Sequence, residues 1–398
     1  MENTPKGLRI QIAVLGKVNA GKSSFLNLMV GQDVSIVSEI CGTTTDVVEK
    51  AQELHPLGPV LWLDTAGFGD ETALSKKRIE KTLKVLDRAD VAVLVCENGQ
   101  IGETEEKIIN MVQKKQIPLI KIFNQKRKVE VECFDGGLSL NVLDYGQRLK
   151  AVSAFQNELL KVCPEDFLVT QIMLSDLVHQ GGTVMMIVPI DYEAPKGRLI
   201  MPQVQAIRDC LDHDQIVMVV KETQYLNALN ALNVKPDLVV CDSQVVQFMV
   251  QNTPKDIQCT TFSILMARLK GDLKTFIEGA DAIWKLKDGD KVLIAESCTH
   301  HAADDDIGTI KIPNLMKMKT KKNIIFEHVS GCDFKINLKD YKLIIQCGGC
   351  TQNRRAMLSR VAAAQAAGVP ITNYGVCLSE LNGVLDRVSA PFKKILTL

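Results

Sequence analysis

The run Gly16-Lys17-Val18-Asn19-Ala20-Gly21-Lys22-Ser23-Ser24 constrains this chain more than any other stretch. It has the form G-x-x-x-x-G-K-S, follows the alternating apolar residues 8–15, and leads into the helical pattern of 25–30. Such a loop holds phosphate only when a buried strand delivers it and a helix leaves from it, so the first part of the chain is predicted to be a doubly wound α/β domain. Gly16 and Gly21 allow the tight wrap, and the N–H groups of Asn19, Ala20, Gly21 and Ser24 line the phosphate cradle. Lys22 pairs with the β/γ charge, and Ser23 reaches Mg2+.

Two further stretches follow in the order that a nucleotide switch requires. Gly42-Thr43-Thr44-Thr45 lies in a polar loop, where a threonine hydroxyl completes the Mg2+ shell once a γ-phosphate is present. Residues 60–63 form a strand that delivers Asp64-Thr65-Ala66-Gly67, with Asp64 toward the Mg2+ waters and the Gly67 N–H toward the γ-phosphate. Residues 91–96 and 117–123 read as two more buried strands. Two departures from the common pattern bear on the chemistry. Phe68 stands where many GTPases carry a water-orienting glutamine, which predicts slow intrinsic hydrolysis. Asn124-Gln125-Lys126-Arg127 stands in place of N-K-x-D, and Arg127 accepts no hydrogen bond from guanine. Base recognition then falls to Asn124 and to Ser153-Ala154, which read as a turn resembling the last GTPase motif. GTP, cycling to GDP, is the expected nucleotide.

Composition excludes more than it assigns. Lys plus Arg number 47 and Asp plus Glu number 47 among 398 residues, so no global field draws the chain to nucleic acid or to an anionic membrane. The basic run Lys317-Met318-Lys319-Thr320-Lys321-Lys322 reads as a solvated turn. No apolar run approaches a membrane span, and 12 cysteines without a secretory leader fit a reducing compartment; a cytoplasmic protein is expected.

The rest of the chain reads as two smaller α/β domains with mainly parallel sheets. The expected division is a P-loop GTPase domain at 1–165, a dimerisation domain at 166–265 and a metal-binding domain at 266–398. Residues 164–178 read as an amphipathic helix ending near Gly181-Gly182. Apolar runs at 184–190, 216–220, 238–241 and 259–265 alternate with helical periodicity at 203–211 and 224–232. That stretch carries no phosphate loop and no carboxylate pair, and His213-Asp214 reads as a surface turn; a domain without chemistry of its own is assigned to dimerisation. From about Asp281 the pattern starts again, with strands at 291–296, 324–328, 342–346 and 369–373. Met318, Met357 and the alanine-rich helix read as core. Cys298-Thr299-His300 follows the first of these strands, and Cys347-Gly348-Gly349-Cys350 follows the third. Three thiols and an imidazole at the carboxyl ends of strands are the inventory of a metal site. Spacing alone gives an iron–sulfur cluster and a Cys3His zinc site equal weight, ahead of a redox dithiol or buried thiols.

The phosphate loop resembles those of the MnmE-like, potassium-activated GTPases. That resemblance implies K+ at the position of an arginine finger, surrounded by Asn19, Ser38, Ile40 and Thr43, with Thr44 on Mg2+. The whole combination of P-loop domain, α/β linker, C-T-H and C-G-G-C resembles the HydF family, the GTPase maturases of [FeFe]-hydrogenases, over nearly the full chain. The resemblance implies a scaffold that carries a [4Fe–4S] cluster on Cys298, Cys347 and Cys350; the homodimer is expected from the middle domain. It would receive the di-iron subcluster precursor made with two radical-SAM maturases and pass it to apo-[FeFe]-hydrogenase. His300 matches the family's C-x-H position and is the candidate fourth ligand. Gln346 stands where the family often has a second histidine, which leaves an exchangeable iron position for water, a carboxylate or His300. His301, His328 and Cys332 are nearby alternatives with structural roles. GTP then acts as a timer or conformational switch. The alternative is a regulatory GTPase of the tRNA-modification or ribosome-assembly type with a zinc-stabilised third domain, although no aromatic–basic stripe marks an RNA surface.

Overall fold

Strand β1 (Ile10–Gly16) is buried at all seven positions, so both of its faces are covered. It lies in a seven-stranded sheet whose other members are β2 (Val48–Leu54), β3 (Gly58–Asp64), β4 (Val91–Glu97), β5 (Leu119–Asn124), β6 (Glu132–Phe134) and β7 (Gly137–Leu140). The order is β2-β3-β1-β4-β5-β7-β6, parallel except at its two ends, where β2 and β6 run against their neighbours. The computed structural model describes residues 6–31, 48–54, 57–65, 67–68, 73–97, 100–127, 129–134, 136–163, 172–189, 199–297, 306–331, 337–349 and 352–396. The chain divides into two units, Met1–Thr170 and Gln171–Leu398.

Helices close both faces of the first sheet. Under one face, Phe25 of the helix Lys22–Val30 meets Trp62 edge-on at 6.1 Å, and Phe155 of the helix Arg148–Val162 lies 5.4 Å from Trp62. The indole N–H of Trp62 donates to Gln52 Oε1 at 2.8 Å, so this large ring is buried without an orphaned donor. On the other face, Val85 and Leu86 of the helix Ala73–Arg88 and Ile108 and Val112 of the helix Glu103–Lys114 form a separate core. The phosphate loop therefore leaves a strand fixed from both sides.

The second unit contains two four-stranded sheets. The first is built from β8 (Thr183–Ile187), β9 (Ile216–Val220), β10 (Leu238–Cys241) and β11 (Gln258–Thr261) in the order β11-β10-β8-β9. The second is built from β12 (Lys291–Ala295), β13 (Ile325–Val329), β14 (Leu343–Gln346) and β15 (Ile371–Asn373) in the order β13-β12-β14-β15. Every pairing in both is parallel. Counted from the first strand of each, the two sheets have one wiring: second, first, third, fourth. In each, the last strand ends in a residue whose side chain caps the next helix. Thr261 accepts from the Ile264 N–H at 3.2 Å, and Asn373 accepts from the Val376 N–H at 2.9 Å. These two helix starts touch: a Cβ on Gly375 would lie 2.1 Å from the Ser263 Cβ, so only glycine permits the approach. One apolar core runs through both sheets, from Met173 to Phe392.

Three expectations need correction. The apolar run 259–265 is not one strand; β11 stops at Thr261, whose cap starts the helix Phe262–Lys270. Residues 164–171 lie outside the described residues, but the tail of the expected helix 164–178 is a loop with a single 3-10 turn, Ser175–Leu177. Its backbone is held by the buried Asp209 carboxylate, which accepts the N–H groups of Met173, Leu174 and Ser175 at 3.1, 2.7 and 2.9 Å. Met357 is core, but Met318 is 63% exposed, because it lies on the outer side of the helix Ile312–Thr320. Among the described residues no helix is long and apolar enough to cross a membrane.

Candidate functional site

The nucleotide site is built by strand register. Val14 on β1 lies beside Asp64 on β3, and Gly16 lies beside Val95 on β4, so the P-loop and the Asp64 segment leave the sheet together. Gly21 opens the helix at φ +99°, and a Cβ there would lie 2.5 Å from the Asn124 amide nitrogen. Asn124, at the end of β5, donates to Ala20 O at 3.0 Å and accepts from the Val142 N–H at 3.3 Å. It thereby ties the base-recognition loop to the phosphate loop. Asn19 sits at the loop apex with φ +63°.

Lys22 is buried and donates to Lys17 O at 2.7 Å, within the phosphate loop itself. Ser23 Oγ donates to Asp64 Oδ2 at 3.1 Å, while Asp64 Oδ1 is buried without a partner among the described residues. A hydroxyl beside a carboxylate with a spare oxygen is a donor set for Mg2+. Burial pulls the Lys22 ammonium below the ordinary lysine range, against the attraction of Asp64. Burial likewise pushes the Asp64 carboxyl up, against the Ser23 hydrogen bond and the Lys22 charge. Each group is desolvated where an opposite charge would restore it. Phe68, next to Gly67, is strapped to the loop: its N–H donates to Gly16 O at 3.1 Å, and its carbonyl accepts the Val18 N–H at 2.8 Å.

Other expected nucleotide residues are placed differently or lie elsewhere. Ser24 is in the first turn of the helix Lys22–Val30. Ser153 and Ala154 lie inside the helix Arg148–Val162, not in a turn; the segment that reaches Asn124 is 141–144, directly after β7. Gln125 Nε2 donates to Ser139 Oγ at 3.2 Å and Lys126 pairs with Glu97, so neither replaces the missing aspartate at 127. Ser38, Ile40, Thr43 and Thr44 lie outside the described residues.

The thiol site rests on the same device in the second unit. Ala295 on β12 is in register with Gln346 on β14, so the chain entering Cys298 and the chain entering Cys347 leave adjacent parallel strands. Ser297 shows the result: its N–H donates to Cys347 Sγ at 3.2 Å across fifty residues of sequence. The Cys347 thiol donates to Ser297 Oγ at 3.2 Å. After Cys347 the turn is closed by the Gln352 N–H on Gly349 O at 3.0 Å, and Asn353 caps the helix Arg354–Ala367 by accepting from the Ala356 N–H at 3.2 Å. Gly349 adopts φ +60°.

Two buried side chains and one partly buried one, none of them marked by the sequence, bind the two segments that meet here. Lys270 donates to Gly349 O at 3.2 Å and to Gln352 O at 2.8 Å. Arg360 donates to Ser297 Oγ at 3.2 Å and to Glu296 O at 3.4 Å. Tyr374 donates to Glu296 Oε1 at 2.9 Å, and burial, then the Glu296 charge, push its phenol far above the usual range. No spacing rule links these residues to the cysteines; only the sheet order brings them together. Gln346 is fully buried, and neither end of its amide has a partner among the described residues. Cys298, His300, His301, Cys332 and Cys350 lie outside the described residues, and His328 is exposed on β13. Among the described residues no group of three or more His, Cys, Asp or Glu side chains is gathered for a metal. The Ser297 N–H on the Cys347 sulfur nevertheless fits an anionic metal–sulfur group, which such a donor stabilises.

Comparison with known proteins matches three pieces of the chain. Residues 11–125 match the family model described as 50S ribosome-binding GTPase, so the first unit carries a GTPase domain. Residues 173–271 match the hydrogen maturase F dimerization domain, and residues 274–391 match the hydrogen maturase F tetramerization domain. Among curated proteins, GTPase Der of Wolinella succinogenes is 36% identical over 129 residues, which is 31% of this chain and 27% of that one. The tRNA modification GTPase MnmE of Bacteroides thetaiotaomicron is 34% identical over 126 residues, 30% of this chain and 26% of that one. The chain thus spans about a quarter of the length of these relatives. A solved structure of Aquifex aeolicus Era bound to GDP and aluminium fluoride matches with a TM-score of 0.30 at 19% identity, covering 53% of this chain and 93% of that one.

Proposed function

The chain belongs to the hydrogen maturase F family, and from that premise we propose that it is a GTPase scaffold that carries a [4Fe–4S] cluster and delivers a di-iron precursor to apo-[FeFe]-hydrogenase. The observation that supports this reading most is the contact of Ser297, the residue before Cys298, with the Cys347 sulfur. Cys298, Cys347 and Cys350 would hold the cluster, and His300 is the candidate for the fourth iron. A bound cluster supplies an iron on which a metal cargo docks. The chain's own residues fix the Cys347 turn through Lys270 and donate to its sulfur through Ser297.

The nucleotide acts as a switch in this account. Ser23 and Thr44 would take Mg2+, with Asp64 toward its waters, and Asn19, Ser38, Ile40 and Thr43 would take K+. The Phe68 strap supports switching, because it ties the residue after Gly67 to the phosphate loop through Gly16 O and the Val18 N–H, so a change at either one bears on the other. In the proposed division, 1–165 switches, 166–265 dimerises and 266–398 carries the cluster. Dimerisation is supported by β9, an edge strand that leaves Ile216 and Val219 half exposed. The two radical-SAM maturases and the hydrogenase are the proposed partners, and the cytoplasm is the proposed compartment.

Loading the chain with the two maturases and then mixing it with apo-hydrogenase tests delivery, read as hydrogen evolution. Wild type is expected to activate the hydrogenase and Cys347→Ala to fail. Equal activation by both would reject the carrier role. Lys22→Ala is expected to bind iron normally while losing nucleotide-dependent partner affinity; equal affinities of the wild type with GTP, GDP and no nucleotide would reject the switch.

A further inference from the structure

Ser297 is 4% exposed and stands between a sulfur and a guanidinium. Its Oγ receives the Cys347 thiol on one side at 3.2 Å and Arg360 Nη1 on the other at 3.2 Å. A hydroxyl has one proton and two acceptor positions, and here both acceptor positions are filled. When Cys347 gives up its proton to ligate metal, the thiol donor disappears but Arg360 still fills one acceptor position. The hydroxyl proton is then free to turn to the sulfur. The result is a directed chain, Arg360 N–H to Ser297 O–H to Cys347 sulfur, alongside the fixed Ser297 N–H on the same sulfur. Arg360 is itself 5% exposed and is held by Glu296 O and by Gly331 O, so the guanidinium cannot swing away without breaking backbone contacts.

Such a chain has a definite electrical consequence. Adding an electron to a metal–sulfur cluster raises its negative charge, and donors on its sulfur together with a buried cation behind them stabilise that added charge. We propose that Ser297 and Arg360 are positioning residues that hold the cluster's reduction potential up by polarising the Cys347 sulfur. This inference rests on the cluster reading above. It differs from a purely structural role because it acts on the electron equilibrium and not on whether the turn forms.

The test uses the full chain reconstituted anaerobically with iron and sulfide, as wild type, Ser297→Ala, Ser297→Thr and Arg360→Lys. Iron content and an EPR-monitored redox titration are read on each. Ser297→Ala keeps the backbone donor and should bind as much iron as wild type, yet its equilibrium constant for one-electron reduction should fall about tenfold, a shift of about 59 mV to more negative potential. Ser297→Thr, which restores the hydroxyl, should return to within about twofold of wild type, and Arg360→Lys, which keeps the charge and loses the planar fork, should fall between. If Arg360→Lys does not fold, the Ser297 pair decides alone. Ser297→Ala with full iron and the wild-type potential would overturn the relay and leave the cluster reading standing. A wild type that takes up no iron would overturn both.

Discussion

In the first sheet of the second unit, Asp242, Ser243 and Ser263 follow the strand ends and line a cavity of about 680 Å3 that they share with Asn314 and Leu315 of the helix Ile312–Thr320. In the second sheet, the matching crevice holds Glu296, Ser297 and Cys347. The wiring is the same in both, and in an open parallel sheet of this order the binding crevice lies where the chain crosses from one side of the first strand to the other, between β8 and β10 or between β12 and β14. What differs is how the polar groups are used. In the first crevice they engage one another: Gln203 donates to Asp242 at 2.8 Å, and the Ser243 and Ser263 hydroxyls share a hydrogen bond at 2.7 Å. In the second, the amide of Gln346 has no partner among the described residues, and the Ser297 N–H donates to a sulfur. Topology supplies a crevice twice; the residues at the strand ends make the two differ.

The sharpest way to break this comparison is to alter equivalent strand ends. Cys347→Ala should abolish iron uptake on anaerobic reconstitution, while Asp242→Asn at the end of β10 should leave it at the wild-type level. Loss of iron in both would show that the two crevices are not distinct in role. Next in size, Asp209→Ala strands three buried N–H groups beneath the first sheet and should cost on the order of 3 kcal/mol in urea unfolding, with iron per folded chain unchanged. An iron deficit without destabilisation would contradict the assignment.

The sheet edges give a smaller contrast. Val219→Lys on β9 should weaken self-association about tenfold in sedimentation, whereas Ile325→Lys on the edge strand β13 should leave the dimer intact. The reverse outcome would move the dimer seam to the second sheet. Smallest, Thr261→Ala and Asn373→Ala should each cost about 1 kcal/mol, since each removes the cap that follows the last strand of its sheet. Because the two helix starts meet at Ser263 and Gly375, the double variant should deviate from additivity; clean additivity would mean that the contact transmits nothing.

Much of the fold was legible because buried parallel strands are written as short apolar runs, and β1, β4, β10, β12 and β14 all stand out in that way. The phosphate loop was legible because its glycines and Lys22 answer to geometry that few sequences satisfy. Asp209 was hidden, because a carboxylate that organises a loop thirty-four residues away leaves no local pattern. The same holds for Arg360 and Ser297, which meet only through the order of β12 and β14. Ser153-Ala154 misled because two small residues resemble a turn motif, whereas the preceding 3-10 turn Tyr145–Gln147 had already started the helix that contains them. Met318 misled because a methionine among lysines reads as core only until the helix face is known. The shared wiring of the two sheets was not legible at all, since strand order is a long-range property and the two halves place different residues at equivalent strand ends.

The central claim is that the β12/β14 crevice holds an iron–sulfur cluster. Anaerobic reconstitution of the wild-type chain with iron and sulfide, followed by metal analysis and EPR of the reduced protein, tests it most directly. The account predicts about four irons per chain and a paramagnetic signal that changes when imidazole is added, as an exchangeable iron requires. Stoichiometric zinc with no paramagnetic signal would contradict it and leave a GTPase with a structural metal site.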